Sequence, residues 1–216
     1  MLEIYGMTLG PIQENGYIVV DQVSRQALIF DPGDEAERLI DWIREQELAP
    51  LAILLTHTHS DHIGALDAVR DAFNIEVYVH ENEAAWLGDP AKNLSAMQPF
   101  GEMSLRDAEN IWREKDMPDQ TIGPFNFKVA HVPGHSPGHV IYIFAESQSV
   151  IVGDAVFQGS IGRTDLPGGD YATLMGAIAR EILILPDTYQ LFPGHGGPTT
   201  VGAEKASNPF FDVFRR

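Results

Sequence analysis

The sequence predicts an α/β fold in which two β-layers are covered by helices on their outer faces. Groups of short β-rich segments alternate with amphipathic segments, and this arrangement occurs twice along the chain. In addition, 44% of the 216 residues are hydrophobic and 21% are charged, a composition typical of a folded protein with a substantial core. No repeat, low-complexity segment or linker divides the sequence, so we expect one domain over residues 1–216. The pattern alone does not fix the order of the strands.

The first third of the chain alternates predicted strands with two predicted helices. The segment Asp34–Glu47 has apolar residues at helical spacing and is closed by Pro50, and Ile63–Phe73 is a second amphipathic helix. Segments rich in β-branched and aromatic residues, bounded by Gly, Pro and polar turns, predict strands. These strands are Glu3–Leu9, Tyr17–Asp21, Gln26–Asp31, Leu51–Leu55 and Glu76–His80.

The rest of the chain begins with its least periodic part, residues 81–119, where we expect helical turns at a rim. Beyond it, Tyr171–Leu185 has helical spacing, and Asp170 is placed to cap the amino end of that helix. Short apolar runs again predict strands. These strands are Phe125–Val132, Val140–Ala145, Val150–Asp154 and Tyr189–Phe192.

Charge and cysteine content exclude several classes of protein. The chain has 31 acidic and 14 basic residues and a formal net charge of −17, so it would repel phosphate backbones, and we expect no nucleic-acid partner. It contains no cysteine, which excludes disulfides, thiolate metal ligands and cysteine nucleophiles. No secretory signal and no apolar run of membrane-spanning length is visible, so we expect a cytoplasmic protein without a membrane partner.

The segment that carries chemistry lies where a buried strand ends and a helix begins. His57, His59, Asp61 and His62 place four potential metal ligands within six residues. In extended chain His57 and His59 point to the same side, while the helix start redirects the side chains of Asp61 and His62. One loop could therefore present two pairs of ligands at neighbouring points, a geometry suited to two metal ions. A closed structural zinc site fits poorly, because such sites are usually rich in Cys.

Further candidate ligands stand at other predicted strand ends. His135 lies in a Gly- and Pro-rich loop, Asp154 directly follows an apolar strand, and His195 follows the last strand in another Gly-rich loop. These positions are consistent with a site built along one edge of the sheets. The remaining histidines of the predicted strands are interpreted as packed or hydrogen-bonded structural residues: His80, His131 and His139.

Together these residues resemble the signature of the metallo-β-lactamase superfamily. His57-x-His59-x-Asp61-His62 matches its central motif, and Asp31, His135, Asp154 and His195 occur in the expected order. The resemblance extends from Tyr5 to His195. It implies an αββα sandwich of two mixed β-sheets flanked by helices, with metal ions at one edge of the sheets. Within the superfamily the chain is most similar to the glyoxalase II (hydroxyacylglutathione hydrolase) branch, particularly its short bacterial members.

Carried over residue by residue, the resemblance implies two sets of metal ligands joined by one bridging carboxylate. The first set is His57, His59 and His135, the second is Asp61, His62 and His195, and the bridge is Asp154. Asp31 would orient a ligand histidine from outside the two sets. Asp61 and Asp154 are the side chains expected to serve catalysis. The implied cofactors are two divalent metal ions, with zinc as the first choice and iron or manganese as alternatives.

Two departures from the glyoxalase II pattern concern substrate recognition. Full-length members carry a C-terminal helical domain with basic residues for glutathione, and we expect residues 1–216 to lack it. The segment Gly159–Asp165 resembles a Gly-Arg-Thr-Asp stretch of the persulfide dioxygenases, relatives that hold a single iron. Within it, Arg163 is a candidate for binding a substrate carboxylate, and an ion pair with an acidic neighbour is the equal alternative.

The resemblance implies a metal-dependent hydrolase in which a metal-bridging hydroxide attacks a thioester carbonyl. The expected substrate is a small molecule, S-D-lactoylglutathione or a related hydroxyacyl thioester. A thiol has a pKa near 8.5 and leaves without much help from a general acid, which suits a site without an evident one. The alternatives are an iron-dependent persulfide dioxygenase and a metal-binding module without catalysis.

Overall fold

Two mixed six-stranded β-sheets form the body of the computed structural model, which describes residues 1–99 and 101–214. The first sheet contains the first six strands in chain order, so that each strand pairs with its sequence neighbours. The pairs formed by β1 with β2 and by β2 with β3 are antiparallel, and the other three pairs are parallel. These strands are β1 (Leu2–Leu9), β2 (Glu14–Asp21), β3 (Gln26–Phe30), β4 (Ala49–Leu54), β5 (Glu76–His80) and β6 (Asn110–Trp112).

Eight further strands follow, and six of them build the second sheet in the order β14-β13-β10-β9-β8-β7. Only β10 and β13 run parallel there, and β11 pairs with β12 in a separate hairpin beside the sheet. Their bounds are β7 (Asp119–Ile122), β8 (Phe125–His131), β9 (Val140–Phe144), β10 (Ser149–Gly153), β11 (Val156–Phe157), β12 (Ser160–Ile161), β13 (Gln190–Pro193) and β14 (Thr199–Thr200).

Helices cover the outer faces of both sheets. Side chains of α1 and α3 pack on the first sheet, and those of α4 and α5 pack on the second. The side chain of Asp170 accepts a hydrogen bond from the backbone N–H of Thr173 and caps α4, as predicted. The helices are α1 (Ala36–Glu45), α2 (Ser60–Ile63), α3 (Leu66–Phe73), α4 (Tyr171–Glu181) and α5 (Val201–Ser207), and the 3-10 turns are Ala84–Trp86, Ser95–Met97, Glu114–Asp116 and Pro209–Phe214.

Successive side chains of the central strands point to opposite faces of their sheet, and this alternation explains the layers. In β2, Tyr17 and Val19 point between the sheets, whereas Ile18 and Val20 point toward the helices of the outer layer. Both faces of the strand are buried, because each sheet has a second sheet on one side and helices on the other. The expected αββα sandwich of mixed sheets is thereby confirmed.

Some helices begin or end at other residues than predicted, because tertiary contacts override the local sequence pattern. The predicted helix Ile63–Phe73 is two helices, α2 and α3, and a side chain at the intervening Gly64 would collide with the carbonyl of Gly33. The predicted helix Tyr171–Leu185 ends at Glu181, and residues 182–185 form a turn before Pro186, which disfavours helical backbone in the preceding residue. The strands β6, β7, β11, β12 and β14 and the helix α5 were not predicted.

No helix in the described part of the chain has the length and apolar character needed to span a bilayer. The described helices are short, and each of the four longer ones buries apolar side chains against a sheet.

A buried tyrosine joins the two sheets close to the ends of their strands. The hydroxyl group of Tyr142, on β9, donates a hydrogen bond of 2.7 Å to the carbonyl of Leu55, at the end of β4. The same oxygen accepts a hydrogen bond of 3.2 Å from the indole N–H of Trp112, and Tyr142 is fully buried. Because both partners belong to the first sheet, this hydroxyl fixes the spacing of the sheets just before the His57 loop.

We expect Tyr142→Phe to lower the free energy of unfolding by about 1–3 kcal/mol, since two buried polar groups lose a shared partner. Urea denaturation of the metal-free protein measures this change. Tyr171→Phe is the matched control: Tyr171 is 49% exposed, and its substitution should change the free energy by less than about 0.5 kcal/mol. Equal effects of the two substitutions would contradict a cross-sheet role for the Tyr142 hydroxyl.

Candidate metal centre

All seven predicted ligand residues lie at one edge of the sandwich, each following the carboxyl end of a strand. His57 and His59 follow β4, and α2 begins directly after them with Asp61 and His62 in its first turn. The loop between β8 and β9 supplies the next residue, and the ends of β10 and β13 supply the last two. These three are His135, Asp154 and His195. Both sheets therefore contribute to the same cluster of side chains.

Three imidazole nitrogens converge in the first group. Nε2 of His57 lies 3.1 Å from Nδ1 of His59, and Nε2 of His135 lies 3.0 Å from the same Nδ1 atom. All three side chains are buried, and their ring nitrogens form a set that could hold one metal ion. The arrangement joins the ligand loop of the first sheet to a loop of the second.

The second group contains one carboxylate and two imidazoles. Oδ2 of Asp61 lies 3.2 Å from Nε2 of His195 and 3.9 Å from Nε2 of His62. These three residues also form a possible set of metal ligands. His62 is fully buried, whereas His195 remains 27% exposed in its side chain, so this group faces the open side of the site.

The carboxylate of Asp154 lies between the two groups. Its Oδ1 atom is 3.4 Å from Nε2 of His62, and its Oδ2 atom is 3.5 Å from Nε2 of His135 and 3.6 Å from Nε2 of His195. Each group is thus in contact with this one side chain. The position is the one expected of a carboxylate shared by two cations.

Two glycines allow the close packing around Asp154. Gly153 adopts a positive φ of 47°, and a side chain there would press against Thr56 and His139. A side chain at Gly194 would collide with the carboxylate of Asp154 and the ring of His62. Neither position accepts another residue without displacing the site.

Asp31 holds His62 from behind the cluster. Its Oδ2 atom lies 3.1 Å from Nδ1 of His62 and accepts a hydrogen bond of 2.6 Å from the hydroxyl of Thr56. The backbone N–H of Thr56 donates to Oδ1 at 2.7 Å. Because Asp31 engages Nδ1, the ring of His62 is oriented with Nε2 toward the cluster. The contact brings Asp31 and His62 together, and the role of Asp31 in orienting a metal ligand stays a prediction.

The buried polar atoms of the cluster are suited to a cation. Nε2 of His62 and Oδ1 of Asp154 are buried and make no hydrogen bond, and such atoms are costly unless they coordinate something. Burial and the neighbouring His62 ring lower the pKa of His57 well below its usual range, and burial with His135 lowers the pKa of His59 to about 3. Both imidazoles are therefore neutral at physiological pH, the form that binds metal.

The carboxylates of the cluster are ionised at neutral pH. Burial opposes ionisation of Asp154, but the imidazoles of His62 and His135 outweigh it and lower its pKa. Burial likewise opposes ionisation of Asp61, and His62 and His195 together lower its pKa. Burial opposes protonation of His62, but the carboxylates of Asp154 and Asp61 outweigh it and raise its pKa well above the usual range, so this ring would release a proton on binding a metal ion. Imidazoles beside ionised carboxylates form an oxygen and nitrogen donor set that accepts zinc, iron or manganese. The described residues therefore fit a dinuclear metal centre.

The His195 loop is fastened to the first sheet by β2. The backbone N–H of Asn15 donates to the carbonyl of Gly194, and its side-chain amide donates to the carbonyls of Pro193 and Gly196. The hydroxyl of Tyr17 donates to the Pro193 carbonyl at 2.7 Å. The strand β2 thus begins three residues before the predicted Tyr17 and fixes the loop that carries His195.

Glu14 is a buried acid that sequence reasoning missed. Its side chain is 1% exposed, neither carboxyl oxygen makes a hydrogen bond, and Oε1 lies 3.7 Å from Nδ1 of His62. Burial raises the pKa of Glu14 well above its usual range. It therefore fills the space behind His62 as an acid whose ionisation is disfavoured by burial. No pattern in the sequence distinguishes it from the exposed acids of the chain.

Glu83 is a second missed residue, and it joins the two loops of the first histidine group. Its Oε2 atom accepts hydrogen bonds from the backbone N–H and the hydroxyl of Thr58, at 2.7 and 2.9 Å. Its Oε1 atom accepts from the hydroxyl of Ser136 at 2.5 Å and from the N–H of Gly138 at 2.7 Å. Thr58 lies between His57 and His59, and Ser136 follows His135. Glu83 therefore sets the spacing of these ligand loops.

The three histidines interpreted as structural lie outside the two ligand groups. Nε2 of His139 accepts a hydrogen bond of 3.0 Å from the backbone N–H of Asp154, so this buried ring positions Asp154. His80 and His131 stack with a centroid separation of 4.2 Å, and Nε2 of His131 lies 2.9 Å from the carbonyl of Pro137. None of the three belongs to a possible metal-ligand set among the described residues.

A cavity of about 480 Å³ opens over the cluster of candidate metal ligands. Arg163 lies on its wall, and Nε and one terminal nitrogen of Arg163 each donate a hydrogen bond of 2.8 Å to the carboxylate of Asp165. Both partners are more than half exposed. The ion pair proposed as the alternative role of Arg163 is therefore present. Binding of a substrate carboxylate by Arg163 stays a prediction.

Comparison with known proteins places this geometry in a family. Residues 9–195 match the model of the metallo-beta-lactamase superfamily. The chain is 45% identical over 208 residues to the probable metallo-hydrolase YqgX of Bacillus subtilis, covering 96% of this chain and 97% of that protein. It is 39% identical over 202 residues to the hydroxyacylglutathione hydrolase GloC of Haemophilus influenzae, covering 93% of each.

Solved structures show the same architecture. The crystal structure of BLEG-1 B3 metallo-beta-lactamase matches with a TM-score of 0.94 and 46% identity, over 97% of this chain and all of that one. The structure of TTHA1623 in a di-iron-bound form matches with a TM-score of 0.83 and 38% identity, over 95% and 99% of the two chains. Both proteins thus share the fold of this chain over nearly its whole length.

We expect Glu83→Gln to weaken metal binding by the His57 loop about 10- to 100-fold, as loss of an outer partner typically does. Glu83 accepts hydrogen bonds from four donors, and the amide of Gln would turn an N–H₂ group toward at least one of them. Chelator competition followed by elemental analysis measures the affinity of each metal. Glu81→Gln, on an exposed neighbour, is the matched control. Unchanged metal affinity in Glu83→Gln would show that the loops hold their spacing without it.

Proposed function

The chain belongs to the metallo-β-lactamase superfamily, and we propose that this metallo-hydrolase cleaves the thioester of a short hydroxy acid, S-D-lactoylglutathione or a related compound. The position of Asp154 between two groups of ligands carries the proposal, because two cations sharing a carboxylate suit hydrolysis. The 39% identity to a hydroxyacylglutathione hydrolase supports the choice of substrate.

We propose that the two ligand groups hold one metal ion each. When bound, two divalent ions would act as Lewis acids and bring the pKa of water toward neutrality. We propose zinc for both positions, with iron or manganese as alternatives that the same donors accept. The first group is His57, His59 and His135, the second is Asp61, His62 and His195, and Asp154 is shared.

In the proposed reaction, water adds to the thioester carbonyl carbon, the C–S bond breaks, and a carboxylic acid and a thiol are released. Asp31 and Thr56 keep His62 in one orientation, and His139 holds the backbone of Asp154. Apart from the ligands Asp61 and Asp154, the described wall of the cavity carries no carboxylic acid, and it carries no lysine. A thiol needs little help from a general acid, because its pKa is near 8.5, so the site suits a thioester.

A substrate assay distinguishes thioester hydrolysis from the alternative activities. Metal-replete protein is offered S-D-lactoylglutathione, a chromogenic β-lactam and glutathione persulfide, with thiol release and oxygen consumption recorded in parallel. We expect thiol release with the thioester and no oxygen uptake. Oxygen uptake with the persulfide alone would indicate a dioxygenase, and faster turnover of the lactam would indicate a β-lactamase. Full metal content without turnover of any substrate would indicate a non-catalytic metal-binding module.

Asp154→Asn tests the shared carboxylate. The amide has no negative charge, so at least one of two expected metal ions per chain should be lost, and turnover should fall at least about 100-fold. Elemental analysis and the thioester assay measure the two effects. Asp119→Asn, on the exposed edge strand β7, is the matched control and should change neither. A near-normal rate with full metal content in Asp154→Asn would remove this residue from the mechanism.

A further inference from the structure

We propose that the site prefers hydroxyacyl thioesters whose thiol half is uncharged and apolar over S-D-lactoylglutathione, an inference that rests on the proposed thioester hydrolysis. It concerns the part of the cavity beyond the metal cluster, where the leaving group must lie. The acyl carbon has to reach the cluster, so the remainder of a bound thioester contacts the rim. The chemistry of that rim decides which thiols are accepted.

The rim of the cavity is predominantly apolar. Outside the ligand groups, only Gln98, Ser160 and Arg163 contribute polar side chains to the described wall. The ring of Phe157 lies against His195, with centroids 5.9 Å apart, so the apolar wall begins directly at the second ligand group. The apolar members of the wall are Ile12, Leu94, Met97, Phe157, Ile161 and Leu166.

Two of these apolar side chains are exposed to solvent at the mouth of the cavity. Met97 is 69% exposed and Ile12 is 38% exposed. A second, mainly apolar hollow shares Ile12, Gln98 and the ligand Asp61 with the main cavity and continues past them to Leu9 and Pro11, with Asp34 also on its wall. The apolar surface therefore begins beside the second ligand group and continues toward Leu9 and Pro11. An apolar group lying along it would bury these side chains and gain binding free energy.

Charge argues against an anionic thiol such as glutathione, which carries two carboxylates. Arg163 is the only Lys or Arg on the described wall of the cavity, and Asp165 already binds its guanidinium group through two hydrogen bonds. The chain as a whole has a formal net charge of −17. Carboxylates placed on this rim would lose water without gaining a cationic partner.

The test compares thioesters that share one acyl group. S-D-lactoyl esters of glutathione, N-acetylcysteamine and benzyl mercaptan are offered to the metal-replete protein, and each kcat/KM is divided by the rate of hydrolysis by hydroxide alone. We expect the benzyl ester to exceed the glutathione ester at least about tenfold, as an added apolar group in an apolar pocket does. The neutral but polar N-acetylcysteamine ester should fall between them.

Variants at the rim test the origin of the preference. Met97→Lys adds a cation to the exposed rim and should reduce the ratio of benzyl to glutathione ester by about threefold, the effect of one exposed charge pair. Val23→Lys adds the same charge to the 86% exposed turn at the far end of β2 and should leave the ratio unchanged. The double variant Ile12→Ala with Met97→Ala should lower kcat/KM for the benzyl ester more than for the glutathione ester.

The outcomes separate this inference from the proposed function. Hydrolysis of all three esters with equal efficiency, or with preference for the glutathione ester, would overturn the inference and leave thioester hydrolysis standing. Hydrolysis of none of them would overturn the proposed function and this inference together. An equal response of the ratio to Met97→Lys and Val23→Lys would overturn the assignment of the thiol half to this rim.

Discussion

The contacts of Asp154 with imidazoles from both sheets are the interaction on which the rest of the site depends. One oxygen faces His62 of the first sheet, and the other faces His135 and His195 of the second. Such a carboxylate is stable in a buried position only if the surrounding histidines keep their places. Gly194 follows from this requirement, since a side chain there would collide with Asp154 and His62, and Gly153 lets the end of β10 pack against Thr56 and His139.

Other buried carboxylates act on the backbone around this centre. Asp31 accepts two hydrogen bonds from Thr56, and Glu83 accepts four from the two loops of the first histidine group. Glu204 does the same for the hairpin of β11 and β12, accepting hydrogen bonds from Gly159 and Thr199. Part of the strongly acidic composition is thus internal. These acids hold loops whose positions no regular secondary structure determines.

The parts of the site that could be predicted from the sequence are those with short spacing. His57, His59, Asp61 and His62 were recognisable because they share six residues at the junction of a strand and a helix. Glu83 was not, because it acts on loops about 25 and 53 residues away, and no local periodicity marks such a contact. The hairpin of β11 and β12 escaped prediction for a related reason, since two-residue strands carry too little pattern.

The spread of the ligand residues from His57 to His195 has a consequence for how the protein reaches its native state. Both sheets must be complete, including the parallel pairing of β10 with β13, before all donors meet. Pairings between such distant segments form late, because closing long loops costs chain entropy. A cation that needs the whole set therefore binds the finished fold most tightly and stabilises it by mass action.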